Sequence, residues 1–470
     1  MDIVLQILGL AYFIFALWNL RLAVLFLPLF FSAYLLKFDL IGVPFPMIEV
    51  FIYGTFLAWV LQTFLKIFQR KLSWKECLEP YKKIWWLAIL GIMVAAIIST
   101  FIAPQSVMMM DGTTIFYGKK VALGILKSWI IAPILMLVLF AGVVRSAKDL
   151  KIAVQSYVVS AVFLAGWGIY QVLTKQYLTP DMRASGPFNS ANYLALFITP
   201  ALFYALVRVK EFFTVDFEEP WWKKVFHIVV RKNIPQRPEF FLVMFWAVAL
   251  LVLFFGLLFT KSYAAFLTFF VACCLWFYFQ MKNWKGFSWK IVGLVAVVLM
   301  LIVFALIALD PAKWQTFFQL ATRSSSGVRV QIYTIAAHLV LANPILGIGL
   351  GMFPAAYQLQ GPQILGQPLY ELNMLHPHDL FLAFWLNLGL LGFLSFLWIL
   401  KVCFKRSWKY VKSFAASAPQ SVEWFHAIGF FMLVIILVHG FVDTPFFKND
   451  LALLFWLVVS LMVLPSSKKS

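Results

Sequence analysis

Charge is scarce in this 470-residue chain. Asp, Glu, Lys and Arg make up 12% of it and hydrophobic residues 63%, whereas a soluble domain averages about 25% charged. That balance excludes a water-soluble globule. Acidic residues are scarcer still, 19 against 38 Lys and Arg. Cysteine is nearly absent: Cys77, Cys273, Cys274 and Cys403 offer neither a disulfide framework nor a metal-ligand spacing. Residues 1–20 lack a basic leading region, so no cleavable signal is expected. No internal repeat is visible. The stretch Gly347-Ile348-Gly349-Leu350-Gly351 follows no strand and precedes no Lys-Ser/Thr pair, which excludes a phosphate loop.

Long apolar runs are abundant. Runs of the length needed to cross about 30 Å of hydrocarbon fall near 44–65, 84–103, 121–144, 152–174, 190–207, 240–259, 262–281, 291–309, 379–400, 424–443 and 449–465. The first 36 residues hold either one span with an interfacial piece or two short spans broken at Asn19-Leu20-Arg21. The expected fold is therefore an all-α polytopic membrane protein with about 12 transmembrane helices, 13 being possible, built as a single integral membrane domain over 1–470. The 51 Phe and 19 Trp suit lipid-facing perimeters and interfacial belts.

Orientation follows from the basic residues. The loops 66–83, 145–151, 208–238, 282–290 and 401–423, together with Arg21 and the C-terminus, hold 27 of the 38 Lys and Arg, and they alternate with poorly charged loops. By the positive-inside rule they face the cytoplasm. This bias, with contacts to membrane lipids, accounts for the net charge of +19, and no nucleic-acid partner is implied. The longest segment on the opposite face runs from 310 to 378. Within it Val328, Ile332, Ile335, Ala336, Leu339 and Val340 recur at helical spacing, while Arg329, Tyr333 and His338 fall off that stripe. An amphipathic helix is expected over 327–342, ending at Asn343-Pro344.

Arg183, Arg323 and Arg329 fall on this translocated face, where basic residues do not collect by default, near Leu375-His376-Pro377-His378-Asp379. Guanidinium forks match phosphate oxygens, and imidazole moves protons at neutral pH. The combination suggests chemistry on a phosphorylated, lipid-borne substrate. Plainer readings exist: outer arginines also anchor in lipid headgroups, and the histidines also cap the helix that follows. Lys127 either snorkels or reaches the phosphates. His439 and Asp443, four apart on one helix face, read as structural.

The ordered motifs Arg323-Ser324-Ser325-Ser326-Gly327-Val328-Arg329, Ala342-Asn343-Pro344-Ile345-Leu346-Gly347-Ile348-Gly349-Leu350-Gly351, His376-Pro377-His378-Asp379-Leu380-Phe381-Leu382 and Leu388-Gly389-Leu390-Leu391-Gly392 resemble the core of the O-antigen ligase/polymerase family. Arg183-Ala184-Ser185-Gly186-Pro187-Phe188-Asn189 with Asn192 is similar to its first arginine motif. The resemblance implies a glycosyltransferase C-like membrane enzyme without cofactor or metal. Such an enzyme moves a glycan from an undecaprenyl diphosphate-linked donor to a glycan or lipid-linked acceptor hydroxyl at the outer face of the cytoplasmic membrane. It implies His378 as general base, with Arg183, Arg329, Arg323 and Lys261 on the diphosphate and His376 and Asp379 in support. Two departures stand out. Lys261-Ser262-Tyr263 replaces the family's Ser-Arg, and Asp379 replaces an Asn, which puts a carboxylate beside the histidine.

Two other functions compete. A transporter or flippase for a lipid-linked or anionic substrate needs ionisable residues near the bilayer midplane and repeated, broken helices, and the spans are poor in the first. A scaffold subunit needs no arginine–histidine constellation. Ligase and polymerase share a donor and differ only in acceptor, which the sequence does not distinguish.

Overall fold

The computed structural model describes residues 2–40, 43–81, 83, 85–214, 238–281, 324–414 and 418–464. Among these, eight helices are long and apolar enough to cross a membrane: Met47–Phe68, Gly118–Val143, Ala147–Thr174, Ala191–Glu211, Phe241–Thr260, Tyr263–Met281, Leu380–Lys412 and Val422–His439. A ninth span results if the bent pair Trp74–Tyr81 and Trp86–Ile102 is one crossing. This is the architecture of an all-helical polytopic membrane protein, with two short antiparallel hairpins, Lys37–Leu40 on Val43–Pro46 and Val107–Met108 on Ile115–Phe116. Every expected apolar run except 291–309 contains a helix; that run, like Arg323 and residues 310–323, lies outside the described residues.

Local chemistry explains where the helices that fall short of a span stop. Asn19 ends the helix Asp2–Trp18 and starts Leu20–Phe26, its side-chain oxygen accepting from the Leu22 amide at 3.0 Å. The N-terminal region is thus two short helices broken at Asn19, continued by a 3-10 stretch to Leu35. Asn449–Val463 has only 15 residues, yet every side chain from Asp450 to Val463 is buried. It is hydrophobic all round because protein surrounds it, so its length need not match the thickness of the lipid.

The expected amphipathic helix is present as Ser324–Ala342. Its stripe of Val328, Ile332, Ile335, Ala336, Leu339 and Val340 is buried against Phe353, Tyr357 and Leu386, while Arg329 and His338 are exposed. A second helix in this segment, Phe353–Leu365, is not foreseen by the hydrophobic pattern. Its signals are its end residues, Pro354 in the first turn and Gly366 as a left-handed cap.

The glycine-rich turn at 347–351 is a backbone wedge. Gly389 interrupts Leu380–Lys412 at φ 62°, ψ −170°, a conformation open in practice only to glycine. Into that break goes the turn: the Leu390 amide donates to Ile345 O at 2.9 Å and the Ile348 amide to Leu386 O at 2.9 Å. Trp385 Nε1 donates to Pro344 O at 2.8 Å, and the Gly351 amide to Asn387 Oδ1 at 2.7 Å. A Cβ on Gly347 would meet Leu386 O at 2.4 Å and one on Gly389 would meet Ile345 O at 2.3 Å. The backbone groups freed by the break are thereby paired inside protein, as a buried interruption requires.

Candidate active site

The ends of five helices converge to carry the polar residues. The start of Ala191–Thr214 brings Asn192 and Tyr193, and the end of Pro238–Thr260 brings Lys261. Asp379 opens Leu380–Lys412, Asp443 follows Val422–His439, and Lys448 precedes Asn449–Val463. These helix ends alternate along the chain with the ends that carry the basic loops, so they share one face of the bundle.

His376 and His378 pack edge to face with ring centroids 4.5 Å apart. His376 Nε2 lies 3.0 Å from the Tyr193 hydroxyl and its Nδ1 3.4 Å from the Thr444 hydroxyl. Burial, then the neighbouring His378, lower its pKa from 6.5 to about 4, outweighing Asp443. His376 is therefore a neutral, fully engaged imidazole. His378 is different. Its side chain is 25% exposed, its Nδ1 stands 3.5 Å from Asp443 Oδ1, and its backbone φ is 51°. A left-handed backbone at a non-glycine residue is strained, and such strain clusters at functional sites. Burial pushes the Asp443 carboxyl up, but His378, His376 and His439 around it prevail and hold it well below the usual carboxylate range.

The carboxylate opposite His378 is thus Asp443, which corrects two readings. Asp379, expected to act on the histidine, is the N-cap of its helix and accepts from the Leu382 amide at 2.7 Å, with burial raising its pKa. Asp443, read as structural, faces the histidine pair. The Tyr333 hydroxyl donates to His378 O at 3.2 Å and tethers the strained loop to the amphipathic helix. Arg329 lies one turn before Tyr333. Burial raises the Tyr333 pKa, with Arg329 opposing and Asp379 and Asp443 reinforcing, so all four share one electrostatic neighbourhood.

Arg183 joins the group from the other side. Its Nε pairs with Asp181 at 2.5 Å, and its Nη1 lies 3.4 Å from both Asn192 Oδ1 and the Thr260 carbonyl. Thr260 adjoins the exposed Lys261, and Asn192 adjoins Tyr193, which reaches His376. Arg183 thus lies one residue from Lys261 on one side and one residue from the histidine network on the other. Lys127 does not join them. It pairs with Glu49 at 3.1 Å, outside the lining of the cavity beside the histidines.

That cavity, of about 600 Å³, is lined by His376, Tyr193, Lys448 and Asn449 and by rings such as Trp129 and Phe353. Arg183, Arg329 and His378 do not line it. Lys448 is absent from the sequence reading. Its ammonium sits 3.8 Å from the Tyr193 ring centroid and 4.0 Å from that of Phe188, with Asp450 at 3.7 Å. Burial lowers its pKa to about 8, against the pull of Asp450 and Asp443. The polar run Lys448-Asn449-Asp450 between two apolar stretches was the available signal.

His376, His378 and Asp443 also present one ligand atom each within 4.8 Å of one another, a grouping able to hold a metal ion. Residues 248–397 match a family model described as O-antigen ligase. The match spans Lys261, Arg329, His376, His378 and Asp379 and stops short of Arg183 and Asp443. No curated protein matches the chain.

Proposed function

From the O-antigen ligase segment at 248–397, which supports assignment of the chain to the O-antigen ligase/polymerase family and a role for it in glycan transfer during polysaccharide biosynthesis, we propose that it is a transferase acting at the outer face of the cytoplasmic membrane. The donor is a glycan on undecaprenyl diphosphate, and the acceptor is a hydroxyl of a glycan or a lipid-linked glycan. The observation that carries this reading is the His378–Asp443 pair beside the neutral His376, with Arg183 bonded to Asn192 next to Tyr193 and Arg329 acting on Tyr333, which holds the His378 carbonyl.

The chemistry follows from those positions. His378 takes the proton of the acceptor hydroxyl, and the oxygen attacks the anomeric carbon of the donor sugar. The bond from that carbon to the diphosphate oxygen breaks, and the electron pair leaves with the lipid diphosphate. Arg183, Lys261 and Arg329, joined in this reading by Arg323, offset the charge developing there. Asp443 stabilises the imidazolium. His376, held by Tyr193 and Thr444, keeps the loop in register.

The grouping of His376, His378 and Asp443 favours a second reading, in which a divalent ion polarises the acceptor hydroxyl. Against the transport alternative, Glu49, Arg208, Glu211 and Asp450 all lie within two turns of a helix end.

One experiment separates these readings. Purified protein is incubated with a defined undecaprenyl diphosphate oligosaccharide and several acceptors, with and without excess EDTA. The expected result is a glycosylated acceptor and free lipid diphosphate, unchanged by EDTA. Loss of product in EDTA with recovery on adding a divalent ion establishes the metal reading. Vesicle translocation of the donor without any transfer overturns both.

A further inference from the structure

At the end of the bundle that carries the basic loops, three segments remote in sequence meet around a polar cavity of about 550 Å³. Its lining includes Arg21, Lys66 and Arg145, with Trp18 and Trp59 beside them. The buried Asp149 carboxylate holds the guanidinium of Arg21 and the backbone of Arg145. Arg21 pairs with Asp149 through Nε at 2.7 Å and Nη2 at 2.5 Å, yet its side chain stays 55% exposed. Asp149 also accepts from the backbone amides of Arg145 at 2.9 Å and Ser146 at 3.0 Å. The Arg145 guanidinium donates to Ala141 O at 2.9 Å and Gly142 O at 2.6 Å, across the C-terminal end of Ala132–Val143, where a cation is favoured. Lys66 is exposed, and no ion pair to it occurs among the described residues.

The lining holds one acid, Glu76, which is engaged with Ser73 in a capping box. Three cations, two fixed guanidinium groups and one exposed ammonium, thus stand against two carboxylates, Glu76 and the Asp149 behind Arg21, so the cavity is net positive. It opens next to apolar side chains left exposed on two helices, Leu17 and Trp18 on one and Leu61, Phe64, Leu65 and Phe68 on the other. Exposed apolar faces flanked by tryptophan belong against acyl chains at the membrane interface.

We propose that this cavity binds the phosphodiester headgroup of an anionic phospholipid at the cytoplasmic surface, its acyl chains lying along the exposed faces of Asp2–Trp18 and Met47–Phe68. A basic pocket between helices on the cytoplasmic side, within reach of lipid tails, has the chemistry such headgroups require. The site lies at the opposite end of the helices from the histidines, so it is tested without reference to transfer.

The test uses the full chain in lipid nanodiscs. Native mass spectrometry after stepwise delipidation reads how much phosphatidylglycerol is retained. Thermal unfolding is compared in phosphatidylcholine discs with and without phosphatidylglycerol. Phosphatidylglycerol is expected to stay bound longest and to raise the unfolding midpoint, and Lys66→Gln is expected to lower retention about five-fold. Lys401→Glu, a larger charge change outside the cavity, is expected to leave retention unchanged. Equal retention by Lys66→Gln and the parent overturns the site. An equal loss with Lys401→Glu does so too, since the effect is then diffuse surface charge. If soluble glycerol phosphate stabilises the protein in phosphatidylcholine discs as well as the lipid does, the ligand is a free phosphate ester and the lipid proposal fails.

Discussion

His376 and His378 sit two residues apart and are chemically unlike. One is neutral, depressed to about 4 and occupied on both ring nitrogens; the other is partly open and faces a carboxylate. His378→Ala is expected to abolish transfer while leaving donor binding intact, whereas His376→Ala only weakens transfer. Loss of lipid-donor affinity in His378→Ala would recast His378 as a binding residue. Arg183→Lys and Arg329→Lys keep the charge but lose the planar fork. Each is expected to slow transfer by about 10²–10³, the effect of removing one fixed donor to a developing anion. Full activity in both would reduce them to membrane anchors. The depressed pKa of His376 also makes stability depend on pH. Its folded value lies below the ordinary 6.5, so the unfolded chain binds more protons between the two values. Its contribution is complete above 6.5 and is lost as pH falls towards about 4. The unfolding midpoint should decline over that window and His376→Gln should flatten part of the slope; a level midpoint in the parent protein contradicts the burial argument.

At the scale of elements, the break at Gly389 holds the 343–351 turn against the helix whose first residues follow His378. Gly389→Ala places a Cβ 2.3 Å from Ile345 O in a backbone region that alanine avoids. The expected cost is on the order of 1–3 kcal/mol from strain alone, read as a lowered unfolding midpoint together with lost transfer. Gly124→Ala, inside a helix where a Cβ meets nothing within 4 Å, is the control and should leave transfer unchanged and the midpoint no lower. Comparable behaviour of the two variants would mean that the wedge is not needed. The amphipathic helix was readable because its buried stripe recurs at a period that sequence displays directly. Phe353–Leu365 carries no such stripe, and only its end residues mark it.

For the whole molecule, the alternation of basic and polar helix ends assigns Arg21, Lys66 and Arg145 to one face and Arg183, His378 and Asp443 to the other. Gln360, exposed in the second helix of the 310–378 segment, reports on this. In a background with the four native cysteines replaced, Gln360→Cys should react with a membrane-impermeant maleimide added outside intact cells. Reaction only after permeabilisation would invert the topology and move the histidines into the cytoplasm.

Hydropathy is summed over neighbours in the chain, so the sequence alone determined the all-helical polytopic class and the amphipathic stripe. The number of helices long enough to span, eight or nine among the described residues against about 12 expected, was left to the structure. The arginine and histidine motifs were equally legible, since each is a short contiguous run. What tertiary structure decided is which groups face each other across distant segments. Asp443 rather than Asp379 stands opposite His378, Tyr193 bridges the arginine side to the histidines, and Lys127 is spent on Glu49. A carboxylate next in sequence to a histidine can be turned away by the backbone hydrogen bond it makes as a helix cap. One beyond the end of another helix can be brought within 3.5 Å, and only packing determines which of the two occurs.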